Sequence, residues 1–485
     1  MKTASAIKNN TLVVDLDGTL TRTDTLIESI LLLIKKSPLI VFYLPLWLIR
    51  GRLFFKNKIA ERISLNVETL PYNENLIAFL KDQKLAGRKL VLATAAHESI
   101  ATKVSNYLGL FDDVISSDET TNVKGETKLS EIRNKYGDKF SYAGDSSIDL
   151  PIWKSAQSAI LVNVNKKVRD SILPSVQIEK EFSNSFNLFR TWIKALRVHQ
   201  WIKNLLIFVP LLTAFNFTDT EKIVTSTLGF LSFSLVASGT YIFNDLWDLT
   251  ADRLHPKKRK RPFASAKIPI PVGTLVALFI ISSGLLLSFL VSKGFCLILL
   301  FYLALTKTYS IRLKKYVLVD VIMLAFLYTL RIIAGSIAIN VTTSAWLLAF
   351  SIFIFMSLAL IKRCSELVVL KQNSIETTQG RDYSVNDLVI LWPLGIGAGF
   401  SSIIFFSLFI STPETLHKYQ TPELLWLVSA GLIYWLSKMW IKTARGEMHD
   451  DPIIFAITNR ESLFTIIVMV IIVIIAHFYS ISSII

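Results

Sequence analysis

The stretch TLVVDLDGTLTRTD, residues 11–24, is a run of β-branched and apolar residues that ends in two carboxylates followed by Gly-Thr. Such a run predicts a β-strand that ends in a turn. Because side chains alternate along a strand, we expect Asp15 and Asp17 on the same side of the chain near the strand's end. The sequence around this stretch then has to supply the neighbouring strands.

Further apolar runs of strand length follow, with helical patterns between them. These runs are KLVLAT (89–94), DVIS (113–116), FSYAGDSS (140–147) and AILVNV (159–164). Strands that alternate with helices predict an α/β, doubly wound, Rossmann-like domain, which we place at residues 1–185. Ligands of such domains collect at the carboxyl ends of the strands. The acids at or just beyond such ends are Asp15, Asp17, Asp145 and Asp149.

Acids grouped in this way suit phosphoryl chemistry. A carboxylate can attack phosphorus only if the repulsion between two anions is offset, which Mg²⁺ held by nearby oxygens achieves. A second carboxylate can act as general acid and base. A hydroxyl and a lysine can then hold the phosphoryl oxygens.

Four motifs resemble the haloacid dehalogenase superfamily, in its phosphatase branch. DLDGT, LATAAHE, KGETK and GDSSID occur in the order of that superfamily, within about residues 10–170. The resemblance implies a nucleophile at Asp15, an acid/base at Asp17, phosphate ligands at Thr94 and Lys128, and Mg²⁺ near Asp15, Asp17, Asp145 and Asp149. Lys124 competes for the role of Lys128, but this branch usually uses the second lysine of KGETK.

The superfamily carries a cap between its first two motifs, here about residues 21–85. This insert contains SPLIVFYLPLWLIRG (37–51), whose apolar run is too short to cross a bilayer, which takes about 20 residues. One interpretation is that the run dips into the membrane interface and brings the mouth of the phosphatase near lipid. The other is a cap helix packed on the domain core.

From Leu205 onward the sequence becomes strongly apolar, in a chain that is 52% hydrophobic with a mean hydropathy of +0.48. Segments of about spanning length recur at 204–218, 224–244, 269–292, 295–311, 317–335, 342–361, 388–411, 423–441 and 463–483. They predict an all-α polytopic membrane domain of about nine transmembrane helices over residues 186–485.

The loops between these segments predict the orientation. Loops after the even-numbered segments hold nineteen lysines and arginines, whereas those on the other side hold only Lys222, Lys293 and Lys418. By the positive-inside rule, we expect a multi-pass protein of the bacterial inner membrane with its N-terminal domain and charged loops in the cytoplasm. MKTASAIKNN (1–10) lacks a signal-peptide core, so export is not expected. The net charge of +15 suits membrane lipids and anionic substrates better than nucleic acid, because the bases are dispersed.

Acids and then bases follow the second apolar segment in NDLWDLTADRLHPKKRKRPFAS (244–265). On an ideal helix Asn244, Asp245, Asp248 and Asp252 fall within an arc of about 100°. Clustered carboxylates need a cation, and Mg²⁺ with a diphosphate is the natural one, with the bases holding the remaining phosphate oxygens. A loop that only binds anionic lipid would explain the bases but not the acids.

Over residues 190–485 the chain resembles UbiA-type intramembrane prenyltransferases, whose first motif is NDxxDxxxD. RVHQWIKN (197–204), TYSIRLKK (308–315), KRCSEL (362–367) and HDDPIIFAITNRES (449–462) are similar to the subgroup of polyprenyl-phosphate phosphoribosyltransferases of bacterial cell-wall biosynthesis. The resemblance implies Mg²⁺ on Asn244, Asp245, Asp248 and Asp252, with Asp248 catalytic, and phosphate ligands at Lys203, Lys258, Arg261, Lys362, Arg363 and Arg381.

The implied reaction moves 5-phosphoribose from phosphoribosyl diphosphate to a polyprenyl phosphate, after which the fused phosphatase could remove the 5-phosphate. The loop at 362–387 lacks the second DxxxD-like motif of typical family members, and its bases suit a phosphorylated lipid acceptor. Prenyl transfer from an isoprenoid diphosphate to an aromatic or other lipid acceptor is the alternative. A non-catalytic scaffold or transporter is a further one. Arg331, within the fifth segment, is either functional, or it snorkels toward the membrane interface or is held by a structural partner such as Asp320.

Overall fold

The computed structural model describes residues 10–172, 175–183, 186–374, 377, 381–448 and 451–480. Residues 1–9, which hold most of the stretch examined for a signal peptide, lie outside the described part. So do residues 184–185, at the predicted domain boundary. The chain divides into two compact units, of which the first is Met1–Leu196 with Ile242–Val276 and the second is Arg197–Tyr241 with Ala277–Ile485.

The first unit is built on a parallel six-stranded sheet in the order β3-β2-β1-β4-β5-β6. Its strands are β1 Thr11–Val14, β2 Leu90–His97, β3 Asp113–Ser117, β4 Phe140–Gly144, β5 Ser158–Val162 and β6 Gln177–Phe182. The predicted α/β fold is confirmed, with all five predicted strands in place. The strand order reverses between β1 and β4, where a doubly wound sheet opens a ligand crevice at the carboxyl ends of its strands.

Strand β1 lies at the centre of the sheet. Leu12 and Val14 pack into a cluster on one face, and Val13 packs into a cluster on the other; all three are fully buried. A parallel strand that is covered on both faces reads as a continuous apolar run, which is what TLVV shows. The register pairs Val14 with Leu92 and with Ala143. Asp15 therefore leaves the sheet beside the end of β4.

The sixth strand was not predicted. Its sequence QIEKEF (177–182) is rich in charged residues, and most of its residues are only partly buried or exposed. It lies at the edge of the sheet next to β5, where charged side chains are tolerated because one side of the strand faces solvent. Such an edge strand lacks the apolar run by which the inner strands were recognised.

The helices of the first unit surround the sheet and form the cap. They are Thr25–Lys36, Leu44–Ile49, Arg52–Ala60, Glu74–Leu85, Glu98–Leu108, Glu126–Tyr136, Leu150–Ser155, Lys166–Ile172, Leu188–Ala195 and Leu249–Leu254. The 3₁₀-helix Pro38–Phe42 and the helix Leu44–Ile49 carry the apolar run of the cap. Leu39, Phe42 and Ile49 on this run are 74%, 72% and 82% exposed, so these side chains do not pack on the domain core.

Among the described residues, eight helices are long and apolar enough to cross a membrane. They are Thr220–Trp247, Ile270–Val291, Lys293–Ile311, Val319–Ala338, Ala345–Gln372, Val385–Ile410, Pro422–Ala444 and Arg460–Phe478. The shorter helices of this half of the chain are Val209–Thr213, Pro413–Lys418 and Pro452–Thr458. The predicted all-α polytopic domain is confirmed as a fold, and its long helices match eight of the nine predicted segments.

The first predicted segment, 204–218, does not form one long helix. Its chain runs through the 3₁₀-helix Val198–Phe208 and the five-residue helix Val209–Thr213. Pro210 stands in the first turn of the second of these, where its missing N–H is tolerated, but it cannot continue a regular ladder from the residues before it. Phe215 then adopts a positive φ of 55°, which ends the helical path.

The 3₁₀-helix Val198–Phe208 packs on the helix Val319–Ala338 within the second unit. Gly335 makes this close approach feasible, because a Cβ at this position would collide with the backbone of Ile207. Ile207 is fully buried in the same apolar cluster as Leu330 and Ala334. The short first segment is therefore an integral part of the second unit's core, although it does not form a helix long enough to count among the candidate membrane spans.

Candidate active sites

Three carboxylates meet at the crevice between β1 and β4. Asp15 follows β1, Asp145 follows β4, and Asp149 ends the 3₁₀-turn Ser147–Asp149. Their oxygens lie within 4.8 Å of one another, and they are the only such acidic, histidine or cysteine group in the part of the chain that the structure describes. Oxygen ligands at this spacing suit a hard divalent cation such as Mg²⁺. The residues present thus fit the expected metal.

Lys128 reaches the same point from the helix Glu126–Tyr136. Its Nζ donates to Asp15 Oδ1 at 2.8 Å and to the Tyr142 hydroxyl at 3.1 Å. Burial acts to lower the pKa of Lys128, but the carboxylates of Asp15 and Asp149 outweigh it and hold that pKa above its ordinary value. Lys128 is therefore a charged lysine beside the predicted nucleophile, whereas Lys124 is exposed.

Tyr142 is a member of this site that sequence reasoning missed. Its hydroxyl donates to Asp149 Oδ1 at 2.8 Å and accepts from Lys128, so it links the lysine to a predicted metal ligand. Burial raises the pKa of Tyr142 well above its ordinary value, and the hydroxyl stays protonated. Strand alternation puts residues three positions apart on opposite faces, so FSYAGD gave no signal that Tyr142 belongs to this site.

The predicted acid/base, Asp17, is held by the chain that leads into the cap. Its Oδ1 accepts from the backbone N–H of Thr25 at 2.8 Å. Burial, with the neighbouring Asp24 carboxylate, raises the pKa of Asp17 to about 8. Burial raises the pKa of Asp15 only to about 6, because Lys128 opposes it, and that of Asp145 to about 7. At neutral pH the two acids of DLDGT thus differ in charge, with Asp15 mainly ionised and Asp17 mainly protonated.

The cap closes a cavity of about 460 Å³ over these residues. Phe55 and Ile59 of the cap line it together with Asp15 and Lys128. Lys56 fastens the cap to the sheet side by donating to the Ala95 carbonyl at 2.6 Å and to Asn122 Oδ1 at 2.8 Å. A phosphate in this cavity would lie beside both Asp15 and Lys128.

Two further residues of the motifs have geometric roles. Thr94, which is buried in β2, accepts from the backbone N–H of Ala96 at 3.0 Å through its hydroxyl. Gly18 has a φ of +80°, and a Cβ there would collide with the Asp145 carboxylate. The glycine of DLDGT is therefore required for the approach of the two strand ends.

The predicted Asp-rich segment adopts two helical pieces. Asn244 and Asp245 lie in the last turn of Thr220–Trp247, and Asp248 precedes the helix Leu249–Leu254, in which Asp252 lies. The backbone N–H of Asp248 still donates to the carbonyl of Asn244 at 2.9 Å, so the path remains nearly helical. The segment therefore keeps its acids close to the arrangement expected for an unbroken helix.

Arg261 folds back onto these acids. Its Nη1 lies 3.1 Å from Asp245 Oδ1 and 2.6 Å from Asp252 Oδ2, and both carboxylates are buried. Two buried carboxylates of the segment therefore converge on one cationic group. Lys258 lies in the exposed 3₁₀-turn Lys258–Lys260 of the same loop. The structure thus brings Arg261 to the acids and leaves Lys258 at the surface.

Arg253 follows Asp252 directly but faces a different partner. Its Nη2 lies 2.6 Å from Glu28 Oε1, its Nη1 lies 3.2 Å from Glu28 Oε2, and its Nε donates to the Ala264 carbonyl at 3.2 Å. The side chains of Arg253 and Glu28 are 8% and 5% exposed. This buried ion pair joins the Asp-rich segment to the cap helix Thr25–Lys36 inside the first unit. No local pattern could have indicated it, because 225 positions separate the two residues.

In the second unit, two predicted phosphate ligands converge on one acid. Lys203 Nζ and Lys362 Nζ lie 2.6 Å and 3.0 Å from Asp451 Oδ2. Burial acts to raise the pKa of Asp451, but the two lysines outweigh it and hold that pKa well below its usual range. Asp451 was given no role from the sequence, although it belongs to the quoted motif HDDPIIFAITNRES. His449 and Asp450 of that motif lie outside the described residues.

The other predicted phosphate ligands of this unit also have acidic partners. Arg363 Nε lies 2.6 Å from Asp320 Oδ2, and Arg363 Nη1 lies 2.9 Å from Glu366 Oε2. Arg381 Nη1 lies 3.2 Å from Glu366 Oε1, and the Tyr383 hydroxyl donates to Asp320 Oδ1 at 2.5 Å. Arg363 is buried, whereas the side chain of Arg381 is 26% exposed. Arg363 therefore belongs to a buried ion-pair network, and Arg381 lies at its more exposed side.

Arg331 has a different partner from the one suggested by the sequence. Its Nε donates to Asn204 Oδ1 at 2.9 Å, and its guanidinium carbon lies 5.1 Å from the centre of the Phe233 ring. The suggestion of Asp320 was wrong, since that carboxylate is taken by Arg363 and Tyr383. A charge inside an apolar helix needs hydrogen bonds and polarisable neighbours, and Arg331 obtains both.

A phosphohydrolase-type α/β domain joined to a bundle of long apolar helices defines a multi-pass membrane enzyme. Residues 205–460 match the UbiA prenyltransferase family, and residues 12–154 match haloacid dehalogenase-like hydrolases. The chain belongs to the UbiA prenyltransferase family and carries a fused haloacid dehalogenase-like domain.

Similar proteins carry one or both of these parts. The uncharacterized protein y4nM of Sinorhizobium fredii is 37% identical over 460 residues, which cover 93% of this chain and 88% of y4nM. Nodulation protein NoeC of Azorhizobium caulinodans is 35% identical over 282 residues, 58% of this chain and 91% of NoeC. Decaprenyl-phosphate phosphoribosyltransferase of Mycobacterium tuberculosis is 30% identical over 217 residues, 44% of this chain and 72% of that enzyme. The first alignment is long enough to include both matched regions.

Proposed function

We propose that this enzyme transfers 5-phosphoribose from phosphoribosyl diphosphate to a polyprenyl phosphate and then removes the 5-phosphate from the product. Residues 1–185 would form the phosphatase domain and residues 186–485 the transferase domain. The observation that carries this proposal is the composition of the first compact unit, which contains both the phosphatase carboxylates and the Asp-rich segment. Two activities that share one folded unit suit consecutive steps on one substrate.

In the phosphatase step, an oxygen of Asp15 attacks the phosphorus of the monoester while Asp17 gives its proton to the departing ester oxygen. The P–O ester bond breaks, and an aspartyl phosphate forms on Asp15. Asp17 then takes a proton from water, the water oxygen attacks phosphorus, and inorganic phosphate leaves as Asp15 is restored. The different pKa values of Asp15 and Asp17 support this division of roles.

The remaining residues of this site hold the phosphate. Lys128, next to Asp15, and the Thr94 hydroxyl would bind the phosphoryl oxygens. Asp15, Asp145 and Asp149, with Asp17 nearby, would hold Mg²⁺, which supplies positive charge to the phosphoryl group as negative charge is redistributed. The Tyr142 hydroxyl would orient Lys128 and Asp149, because it is hydrogen-bonded to both.

In the transferase step, the bond between C1 of the ribose and the diphosphate breaks, and an oxygen of the lipid phosphate forms the new bond to C1. Asn244, Asp245, Asp248 and Asp252 would hold the second Mg²⁺, which draws charge from the leaving diphosphate. Asp248, between the two helical pieces, is the proposed catalytic residue of this set. Arg261 and Lys258 would clamp the diphosphate, and Lys203, Lys362, Arg363 and Arg381 would anchor the lipid phosphate.

The choice of donor rests on two points. The chain is similar to decaprenyl-phosphate phosphoribosyltransferase of Mycobacterium tuberculosis. In addition, the region of Lys362, Arg363 and Arg381 is rich in bases, which suits an anionic acceptor. Transfer of an isoprenoid chain is the competing proposal, because the family as a whole is named for prenyl transfer.

We place the enzyme in the bacterial inner membrane, with the phosphatase and the active-site loops in the cytoplasm and a role in cell-wall biosynthesis. The distribution of basic residues supports this orientation. The outward-facing side chains of Leu39, Phe42 and Ile49 support contact of the cap with the lipid interface.

The proposal is tested by incubating the purified full-length enzyme and Mg²⁺ with a polyprenyl phosphate and phosphoribosyl diphosphate labelled in the ribose. We expect a lipid-linked labelled ribose that has lost its 5-phosphate, and a product that retains the 5-phosphate when Asp15→Asn replaces the wild type. A parallel incubation with an isoprenoid diphosphate and an aromatic acceptor provides the comparison. Product in the second incubation alone would refute ribose transfer, and retention of the 5-phosphate by the wild type would refute the second step.

A further inference from the structure

The phosphatase carboxylates border a second cavity, which is lined in part by the first residues of the cap. This cavity, of about 340 Å³, shares Asp17, Asp24 and Asp145 with the capped one. Its opposite wall is the loop that follows the Asp-rich segment and the start of the next long helix, with Phe263, Ala266, Ile268, Pro269, Ile270 and Pro271. The catalytic carboxylates therefore lie between a polar, capped cavity and one with an apolar wall.

The apolar wall leads directly into a membrane helix. Ile270 is the first residue of Ile270–Val291, whose mean hydropathy of 2.5 is that of a spanning segment. Phe263 and Ile268 are almost completely buried and support the wall from behind, whereas Pro269 and Pro271 are exposed and present its apolar surface. A molecule that enters this cavity meets carboxylates on one side and a surface suited to a hydrocarbon chain on the other.

Arg22 gives this cavity a positive charge. Its side chain lines the cavity, and its Nε is buried without a hydrogen-bond partner among the described residues. A guanidinium keeps its charge at any physiological pH and binds phosphate oxygens well. A buried N–H donor without an acceptor is unfavourable, and an anion in the cavity would satisfy it.

The three acids that line the cavity each have partners of their own. Asp24 caps the helix Thr25–Lys36, and its Oδ1 accepts from the N–H groups of Leu26 and Ile27. Asp17 is bound to the N–H of Thr25, and Asp145 belongs to the metal group. Arg22 is thus the cavity's group for a second anion, separate from the phosphate held at Asp15 and Lys128.

Arg253 holds the apolar wall against the segment that carries Arg22. Its Nε donates to the carbonyl of Ala264, next to Phe263, while its other nitrogens pair with Glu28. The Thr23 hydroxyl, adjacent to Arg22, donates to Glu28 Oε1 at 2.8 Å. One buried ion pair therefore ties both sides of the cavity together, and the cavity is a built feature of the first unit.

We propose that this cavity is the phosphatase's subsite for the lipid-linked end of its substrate, with Arg22 binding a phosphodiester and the wall of Pro269, Ile270 and Pro271 contacting the first part of the hydrocarbon chain. The inference rests on the proposed function, since it supposes a phosphatase substrate that has both a terminal phosphomonoester and a phosphodiester to a lipid. The monoester lies at Asp15, and the diester lies toward the membrane helix. Soluble sugar phosphates fill only the first of these two places.

The test supplies two substrates ready-made to the full-length enzyme in detergent with Mg²⁺. One is synthetic short-chain polyprenyl phosphoribose 5-phosphate, and the other is ribose 5-phosphate; release of inorganic phosphate is measured. For Arg22→Gln we expect a KM for the lipid-linked substrate raised about tenfold or more, with kcat and the kinetics on ribose 5-phosphate little changed. The KM of Arg22→Lys for the lipid-linked substrate should lie between those of the wild type and Arg22→Gln, because lysine keeps the charge but lacks the planar guanidinium.

Arg133→Gln is the matched control, because Arg133 is an arginine of the same unit with an exposed carboxylate partner, Asp138. It should leave the kinetics on both substrates unchanged. Equal losses on both substrates for Arg22→Gln, or no loss on either, would overturn the subsite. Because the substrates are ready-made, a failure of ribose transfer does not affect this result. A wild type that hydrolyses ribose 5-phosphate but not the lipid-linked substrate would instead overturn the proposed function, and the subsite with it.

Discussion

Arg253 and Glu28 form a bidentate, buried ion pair with a shortest nitrogen–oxygen distance of 2.6 Å. The arginine comes from the Asp-rich segment of the transferase and the glutamate from the cap helix of the phosphatase, and both belong to the first compact unit. A charge that is buried in this way is tolerated only because its partner and further hydrogen bonds are present. The pair therefore makes the two regions depend on each other for stability.

Removal of one partner should destabilise the first unit strongly. We expect Glu28→Gln or Arg253→Met to lower the free energy of unfolding by about 3–5 kcal/mol, because an uncompensated charge or donor remains buried. The double variant Glu28→Leu/Arg253→Met should lose less than the sum of the two single variants. Thermal unfolding of the detergent-solubilised enzyme measures both effects.

The exposed ion pair of Arg169 and Glu181, whose side chains are 39% and 37% exposed, provides the control for this prediction. Arg169→Ala should change the free energy of unfolding by no more than about 1 kcal/mol. If the Glu28 and Arg253 variants unfold at the same temperature as Arg169→Ala, the pair does not hold the unit together.

The phosphatase should depend on Lys128 far more than on Lys124. Lys128→Met leaves Asp15 without its cationic neighbour and removes a phosphoryl ligand, so we expect kcat for phosphate release to fall on the order of 10²–10³-fold. Lys124→Met, at an exposed lysine of the same motif, should cost much less. Steady-state release of inorganic phosphate from ribose 5-phosphate gives both values, and the reverse order would assign the role to Lys124.

Binding of Mg²⁺ to the phosphatase site should stabilise the protein more as the pH rises. Burial raises the pKa of Asp15 to about 6 and that of Asp145 to about 7 in the metal-free protein, above the unfolded value of about 3.9. The stability that these carboxyls contribute to the folded protein is therefore complete below a pH of about 3.9, and it is lost as the pH rises through about 6 to 7. Mg²⁺ binds the ionised oxygens, so it offsets this loss.

The measurement is the increase in Tm on addition of Mg²⁺ at pH 5, 6, 7 and 8. We expect the increase to grow across this series in the wild type and to be much smaller at every pH in Asp145→Asn, which removes one carboxylate of the group. An increase that is independent of pH in the wild type would mean that these carboxyls do not titrate in the binding range.

The transferase should need Arg261 to bind its diphosphate donor. Arg261 joins Asp245 and Asp252, and its removal leaves two carboxylates without their shared cation. We expect Arg261→Ala to reduce transfer of labelled ribose about tenfold or more, through weaker binding of the diphosphate. Lys267→Ala, at an exposed base of the same loop, should retain transfer close to the wild type, and equal losses in both variants would show a general effect of charge.

The sequence predicted those parts of the molecule that depend on local patterns. The run TLVV predicted a central strand because both faces of a parallel strand are buried, and the acids of DLDGT and GDSSID came together because β1 and β4 are neighbours. The eight long helices were recognisable because each is a continuous apolar segment. The edge strand QIEKEF lacks such a pattern and was missed. The segment around Pro210 has an apolar pattern, but its helical path is interrupted, so it was misjudged as one long helix.

Pairings between distant residues could not be predicted. Asp451 receives Lys203 and Lys362, which are 248 and 89 positions away, and Arg331 finds Asn204 at a distance of 127 positions. Side chains at such separations meet only after the helices have packed, and a single sequence carries no periodicity that identifies them. The sequence therefore indicated which residues are costly to bury, and the structure supplied their partners.

The first compact unit is discontinuous in sequence, because Ile242–Val276 folds with Met1–Leu196. A gene truncated after the phosphatase would encode a cap helix with Glu28 deprived of Arg253, and a cavity without its apolar wall. A substitution at Glu28 or at Arg253 would therefore alter the selection on the other residue. Recombination at the apparent domain border would therefore separate Glu28 from Arg253 and the second cavity from its apolar wall.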